Sequence, residues 1–200
     1  MLTELLSFFF QVFTACWLGD FIVGVYHWIK DTYFNPFTPI IGKTFIWQSR
    51  LHHIRPRYVL DFSDWELFAG SSKWVLLWMA PLVYLTGINP FMVSLFFVIG
   101  LNDVIHKYSH MLDNERPQWA TLLQKYYIFQ THDEHHQHHI DPHTVNYCPI
   151  THFTNPVLER INFWRRLENL IEQCTGIKPR AKSYDFVEDN KYPAGIKFLE

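Results

Sequence analysis

Apolar positions are unevenly spread along the chain. The first run, Leu5 to Ile29, consists mainly of Phe, Leu, Ile, Val, Trp and Tyr. At about 25 residues, or ~37 Å of helix, it is long enough to cross a hydrocarbon layer. Glu4 is the only charge before Asp20 and no basic stretch precedes the run, so it reads as a transmembrane helix rather than a signal peptide. Two shorter runs, Trp74 to Ile88 and Pro90 to Ile105, flank the turn Gly87-Ile88-Asn89-Pro90. They predict a helical hairpin over 74–105 that either spans or re-enters the membrane, with a kink at Pro81. Asn35-Pro36, Thr38-Pro39 and Gly42 end the first helix and open a polar segment. Beyond Pro117, an amphipathic stretch runs from Trp119 to Phe129. The positions Phe163 to Ile171 then suit a helix lying among headgroups or packed on the rest of the domain. The pattern predicts an all-α integral membrane protein, one domain over 1–200, with a transmembrane helix at 5–29, the hairpin at 74–105 and a polar tail at 178–200.

Charge adds an orientation. Six of the 17 Lys and Arg residues lie from Lys30 to Lys73 and the other eleven from Lys107 onward. By the positive-inside rule, both polar blocks face the cytosol, and the N-terminus and the 87–90 turn lie opposite. A formal net charge of -2 gives no basic face, so nucleic acid is not an expected partner. Cys16, Cys148 and Cys174 are odd in number and widely spaced, which suits neither a disulfide framework nor a thiolate zinc site.

The candidate chemistry lies in the histidines. Asp20, Gly24, His27 and Asp31 recur at i, i+4, i+7 and i+11, one stripe of an otherwise apolar helix, and ionisable groups at membrane depth normally face a protein interior. A pair, His52-His53, follows in the first polar block. Asp103, His106 and His110 share a helix face at the end of the hairpin, and the spacing of the two histidines is that of metal ligands. Six of the twelve histidines fall between Thr131 and His143. There the spacing His135-x-x-His138-His139 predicts three imidazoles on one helix face. Each group alone has an ordinary explanation, as a wet helix end or a solvated histidine-rich tract. Independent surface histidines would not all gather at one membrane boundary. His27, Asp31, His52, His53, His106, His110, His135, His138 and His139 make eight imidazoles and one carboxylate, too many for one tetrahedral zinc. They suit two metals; iron, zinc, copper and manganese are all compatible with such donors. A metal centre where apolar helices meet the cytosol points to lipid chains, whose unactivated C–H bonds require O2 activated at a metal. The expected protein is an O2-dependent di-iron lipid desaturase or hydroxylase. A zinc-dependent membrane hydrolase is the competing enzymatic reading.

The chain also resembles a known family. Gly19-Asp20-x-x-x-Gly24-x-x-His27-Trp28-x-x-Asp31, His52-His53-x-x-Pro56, His106-Lys107-x-Ser109-His110 and His135-x-x-His138-His139-x-x-Pro142-His143 with Tyr147-Cys148 look like the Kua lipid desaturases. So do Asn155-Pro156-x-Leu158-Glu159 and the string from Phe163 through Thr175-Gly176 to Arg180. The resemblance covers roughly residues 19 to 180, and its last string looks like the plasmalogen-forming branch. It implies two iron ions, O2 as co-substrate, a membrane phospholipid substrate and an electron donor such as cytochrome b5. The implied location is the endoplasmic reticulum, or the inner membrane in a bacterium. It carries ligand roles onto the nine residues named above, with His143 a further ligand or a neighbour of the ligands, and His132, His136 and His152 outside the set. The implied reaction is desaturation of a plasmanylethanolamine to its vinyl ether. Desaturation or hydroxylation of an acyl phospholipid is the alternative. Kua domains also occur fused to a ubiquitin-conjugating variant, so a non-catalytic membrane adaptor is a further alternative. The chain departs from the plasmalogen pattern by lacking a histidine between His53 and His106. If that position ligates, Asp61, Asp64 or Glu66 is expected to replace it.

Overall fold

The computed structural model describes residues 1–180; the tail expected at 178–200 falls almost entirely outside them. Helix α1 (Leu2–Tyr33) is 32 residues long, about 48 Å at the usual rise. It stops where Phe34 turns extended, two residues before Pro36, consistent with the bias against helix just before a proline. Among the described residues this one helix is long and apolar enough to cross a membrane, or two if a later bent pair counts as one span. Its first half exposes Leu2, Leu5, Phe9, Phe10 and Phe13, whereas Asp20, Val23, Gly24, His27, Trp28 and Asp31 in its second half are buried. One helix therefore has an end suited to lipid and an end that packs on protein.

A single turn of π-helix (Gly42–Ile46) leads into α2 (Trp47–Ile54), and a 3-10 turn follows at Pro56–Asp61. Helix α3 (Asp64–Thr86) starts ten residues before the apolar run at Trp74. Ser63 and Glu66 form a reciprocal cap there, with the Glu66 backbone N donating to Ser63 Oγ at 3.2 Å and Ser63 N to Glu66 Oε2 at 2.8 Å; such a cap starts a helix irrespective of hydropathy. Gly87, at φ 75, ends α3, a left-handed position that suits glycine. Helix α4 (Pro90–Gly100) is capped by Asn89 and bends by 45° into α5 (Asn102–Ser109). Helices α3 and α4 pack as a hairpin beside α1, burying Ala15, Val23, Val75, Met79, Met92, Leu95 and Ile99 in one apolar cluster. Contact is close where glycine permits it: a Cβ on Gly19 would lie 2.7 Å from Val98 Cγ1.

The rest of the fold encloses the buried end of α1. Helix α6 (Gln118–Lys125) precedes α7 (His132–His138), which opens with the reciprocal cap Thr131/Glu134. Helices α8 (Thr154–Arg160) and α9 (Phe163–Thr175) follow. Among the described residues the β pairing is a single bridge, Phe129 to Thr151. Asp20 accepts from the backbone N of Ile150 at 2.9 Å and of Thr151 at 3.1 Å, anchoring the 147–151 loop on α1. Gly24 lets the loop approach: its Cβ would meet Cys148 Sγ at 2.3 Å. Helix α9 packs on protein through its buried face, with Trp164 stacked on Trp28 at 5.6 Å and Glu168 accepting from Trp28 Nε1 at 3.0 Å.

Candidate metal centre

All nine expected donors come together, in two adjoining groups. His52, His106, His110, His135 and His139 form one; His27, Asp31, His53 and His138 form the other. Within each, the donor atoms lie within 4.8 Å of one another. Spacing explains the sorting. Pairs four apart on a helix, His27/Asp31, His106/His110 and His135/His139, point the same way and join the same group. Adjacent residues diverge by about 100° on a helix, so His52 and His53 divide between the groups, as do His138 and His139. The three imidazoles expected on one face of α7 are thus divided, because His138 is rotated away from the other two.

The five-histidine group is held edge to edge. Nε2–Nε2 separations are 2.7 Å for His106 and His135, 3.0 Å for His110 and His52, 3.2 Å for His110 and His106, and 3.0 Å for His139 and His135. Metal–nitrogen bonds of about 2.1 Å put two ligands at right angles ~3.0 Å apart, so these separations fit ligands sharing one ion. The Nδ1 of His135 donates to Gln130 Oε1 at 3.1 Å, an outer contact that fixes the tautomer and ring orientation.

In the four-donor group, His27 Nδ1 donates to the Tyr147 carbonyl at 3.1 Å and His138 Nδ1 to the Val145 carbonyl at 2.8 Å. A carbonyl only accepts, so both rings carry a proton on Nδ1, and a neutral imidazole so oriented presents its lone pair at Nε2. Asp31 Oδ2 lies 3.2 Å from His27 Nε2, 3.5 Å from His138 Nε2 and 3.3 Å from His53 Nε2. It is buried and makes no hydrogen bond. The carboxylate oxygen and the lone pairs of His27 and His138 Nε2 converge on one point, where they repel unless a cation lies among them, so the donor set fits a metal ion.

Arg50, a residue the spacing of histidines did not single out, fixes that carboxylate. Its side chain is wholly buried. Nη1 donates to Asp31 Oδ1 at 2.8 Å, and Nη2 reaches the carbonyls of Asp31 at 3.0 Å and Phe34 at 2.8 Å. Ser49 Oγ donates to the same Oδ1 at 2.9 Å. One oxygen of Asp31 is thereby held by α2 while the other faces the histidines. The sequence offered only an arginine two residues before the His52-His53 pair; its burial, which requires a partner, is a property of the fold.

Burial, followed by the charges of neighbouring imidazoles, holds His52 and His135 well below the ordinary histidine range. Burial also pushes His143 down to about 4. Neutral imidazole is the form that ligates.

The other candidates, His143 excepted, lie apart from both groups. Asp20 holds the 147–151 loop, and Asp103 accepts from Ser71 Oγ. Asp64 is bound by Lys107 Nζ at 2.9 Å and by the Tyr108 hydroxyl, Glu66 caps α3, and Asp61 is exposed, so none of the three replaces the absent histidine as a donor. His143 is buried and stacks on His53 with ring centroids 4.6 Å apart. His132 bonds the Ser109 carbonyl at 2.7 Å, His152 pairs with Glu134, and His136 is exposed.

Comparison with known proteins finds relatives among the desaturases. The chain is 62% identical, over the full length of both, to a probable fatty acid desaturase of Acanthamoeba polyphaga mimivirus. It is 34% identical to plasmanylethanolamine desaturase 1 of Mus musculus, over 90% of this chain and 68% of that protein. A plasmanylethanolamine desaturase of Myxococcus xanthus is 27% identical over 81% of this chain and 59% of its own length. No solved structure matches. The model of the lipid desaturase domain matches residues 16–182, and with that match the chain belongs to the lipid desaturase family.

Proposed function

We propose that the protein is an O2-dependent, di-iron membrane desaturase whose substrate is a plasmanylethanolamine, converting the alkyl ether to a vinyl ether. The observation that carries the metal reading is the convergence of eight imidazoles and Asp31 in two adjoining groups at the protein-packed end of an apolar helix. Iron bound there would supply the O2 chemistry needed to remove hydrogen from unactivated carbon, which no side-chain acid or base can do. In the balanced reaction, two hydrogens leave adjacent carbons, an external donor such as cytochrome b5 supplies two electrons, two protons come from solvent, and O2 is reduced to two waters. The chain's own residues hold the ligands. Arg50 and Ser49 orient Asp31, the Tyr147 and Val145 carbonyls set the tautomers of His27 and His138, and Gln130 sets that of His135. Burial of the four-donor group, and of His110 and His135 in the other, limits access of bulk water to those side chains.

The plasmanyl substrate is supported by the 34% identity to the mouse plasmanylethanolamine desaturase. The name of the viral relative, a probable fatty acid desaturase, supports the second reading, an acyl chain as substrate. We infer a location in the endoplasmic reticulum of a eukaryotic cell, or the inner membrane of a bacterium, with the histidine groups toward the cytosol, the side to which the positive-inside rule turns both Lys/Arg-rich blocks.

The test is expression in cells lacking their own plasmanylethanolamine desaturase, fed an alkylglycerol precursor. Acid-labile vinyl ether lipid, measured by mass spectrometry, is expected with the native chain and not with His138→Ala. Absence of vinyl ether with two irons bound per chain, together with a new double bond in an acyl chain, would replace the plasmanyl reading by the acyl one.

A further inference from the structure

Helix α6 is amphipathic with its apolar side outward. Its polar Gln124 turns inward, where Nε2 donates to the Gln130 carbonyl at 2.9 Å, and Ala120 is buried on the same side. Trp119, Leu122 and Tyr126, spaced i, i+3 and i+7, share the outer face. All three are exposed, as are Tyr127 and Ile128 in the turn that follows. The backbone N of Ile128 and of Phe129 closes that turn on the Leu123 carbonyl at 2.9 and 3.2 Å. Tyr127 takes a left-handed φ of 56 there, a conformation that favours glycine, yet the position presents a ring. Five large side chains on one surface have no part in either donor group, and a contiguous apolar face of this kind marks a contact surface.

Its neighbours say what that surface meets. Tyr127 packs on His152 with ring centroids 4.7 Å apart, and the next residue, Phe153, stacks on Phe13 at 5.8 Å. Phe13 belongs to the exposed apolar half of α1, ~21 Å of helix before His27. The turn thus reaches from the donor groups down to the part of α1 suited to lipid. On its other side Trp119 meets Tyr108 of α5 at 5.3 Å, and Phe129 packs against the apolar cluster of α1 and the α3–α4 hairpin. Tryptophan and tyrosine have apolar bodies with polar tips, and Lys125 is exposed beside them. That mixture suits the boundary between acyl chains and headgroups.

We infer that Trp119, Leu122 and the 126–128 turn insert into the cytosolic leaflet as an interfacial wedge, continuous with the lipid-facing surface of α1. The inference rests on the membrane reading above and gives the open donor group a position in it. Gln130, which holds His135, follows this turn by two residues, and α7 begins two residues later. The helix carrying His135, His138 and His139 is therefore suspended from the inserted turn, next to the lipid it is to act on.

The experiment uses the full-length, iron-loaded protein in phosphatidylcholine nanodiscs, with Cys16→Ala and Cys174→Ser removing the more accessible native thiols. Nitroxide labels at Leu122→Cys and Tyr127→Cys are expected to collide more with O2 than with a water-soluble nickel complex and to lie about 5–10 Å below the headgroups. A label at Asn114→Cys, exposed in the loop before α6, should show the reverse preference. Water-like collision at both 122 and 127 would overturn the inference. Protection from both reagents, with spin–spin broadening between copies, would also overturn it and identify a face between two copies of the chain. A label at Phe9→Cys in α1 separates the two levels: if it too is water-like, the membrane reading itself fails. The variant Tyr126→Ser/Tyr127→Ser/Ile128→Ser should keep its iron and stay in the membrane through α1. It should lose turnover of lipid in the bilayer while retaining turnover of the same lipid in detergent. Equal turnover in both settings would remove the link between the wedge and the donor groups, and the collision measurement decides the position of the wedge without any turnover.

Discussion

The two donor groups share α2 and α7, where adjacent histidines divide between them, and draw their remaining members from α5 and α1 respectively; they differ in how they are held. The five-histidine group is electrically neutral, and His106 and His139 within it are only half-buried. The four-donor group is wholly buried and carries a carboxylate, compensated by a guanidinium with no exposed surface. The first relies on ring-to-ring packing from α2, α5 and α7. The second hangs from backbone carbonyls and a buried ion pair linking α1 to α2. Ligands at the accessible group can shift with modest loss, whereas the enclosed group has to be complete, because a missing partner leaves charge without water.

The largest effect expected from this contrast is loss of a ligand. His138→Ala and His110→Ala should each lower turnover by more than about 100-fold, beyond the range of outer-contact changes. Neither should differ from the native chain in membrane fractionation, since the apolar helices are untouched. Iron analysis should show His138→Ala losing metal from the enclosed group first and His110→Ala from the open one. Normal product from either variant would remove the ligand assignment. Zinc in place of iron, with activity indifferent to O2, would favour a hydrolase, and absence of metal would favour the adaptor.

Arg50→Ala comes next. It leaves the Asp31 carboxylate buried without its guanidinium, which costs roughly 3–5 kcal/mol, to be read as a lower thermal midpoint in detergent. Arg50→Lys should recover part of that stability, but not the full iron content, because an ammonium cannot reach the carboxylate and the end of α1 with one planar fork. Equal iron in native protein and Arg50→Lys would show that the fork has no role at the enclosed group.

Gln130→Leu tests the open group by the matching change, removing the acceptor of His135 Nδ1. A loss of about 10-fold in metal affinity is expected, the low end for such contacts, and metal titration of the apo-protein measures it. The smallest effect is Gly24→Ala. The added methyl would lie 2.3 Å from Cys148 Sγ, and relieving that overlap should cost about 1–3 kcal/mol. Because Gly24 is one turn from His27, the shift should disturb the enclosed group more than the open one. Cys148→Ala in the same chain should restore much of the loss; failure to do so would show that the clash lies with the backbone of Cys148.

The order of apolar and polar segments was sufficient to read α1 and the α3–α4 hairpin, and residue spacing singled out the nine side chains that the fold brings together. Those features depend on short-range physics: an apolar run long enough for a membrane, and helical spacing that aligns residues four apart. The α3 start at Asp64 was also written locally, in Ser63 and Glu66, but hydropathy does not report a cap. Tertiary structure decided which donors share a group, because adjacent histidines diverge and their destination depends on which helix faces them. It also gave Asp20 and Asp103 other partners, although both sit on the same stripes as ligands. It brought Arg50 to Asp31 and Tyr147 to His27, residues separated by 19 and 120 positions. No periodicity within one helix specifies such a pairing. The donors follow from local spacing, whereas their division into two groups, one open and one enclosed, follows from the packing of α1, α2, α5 and α7.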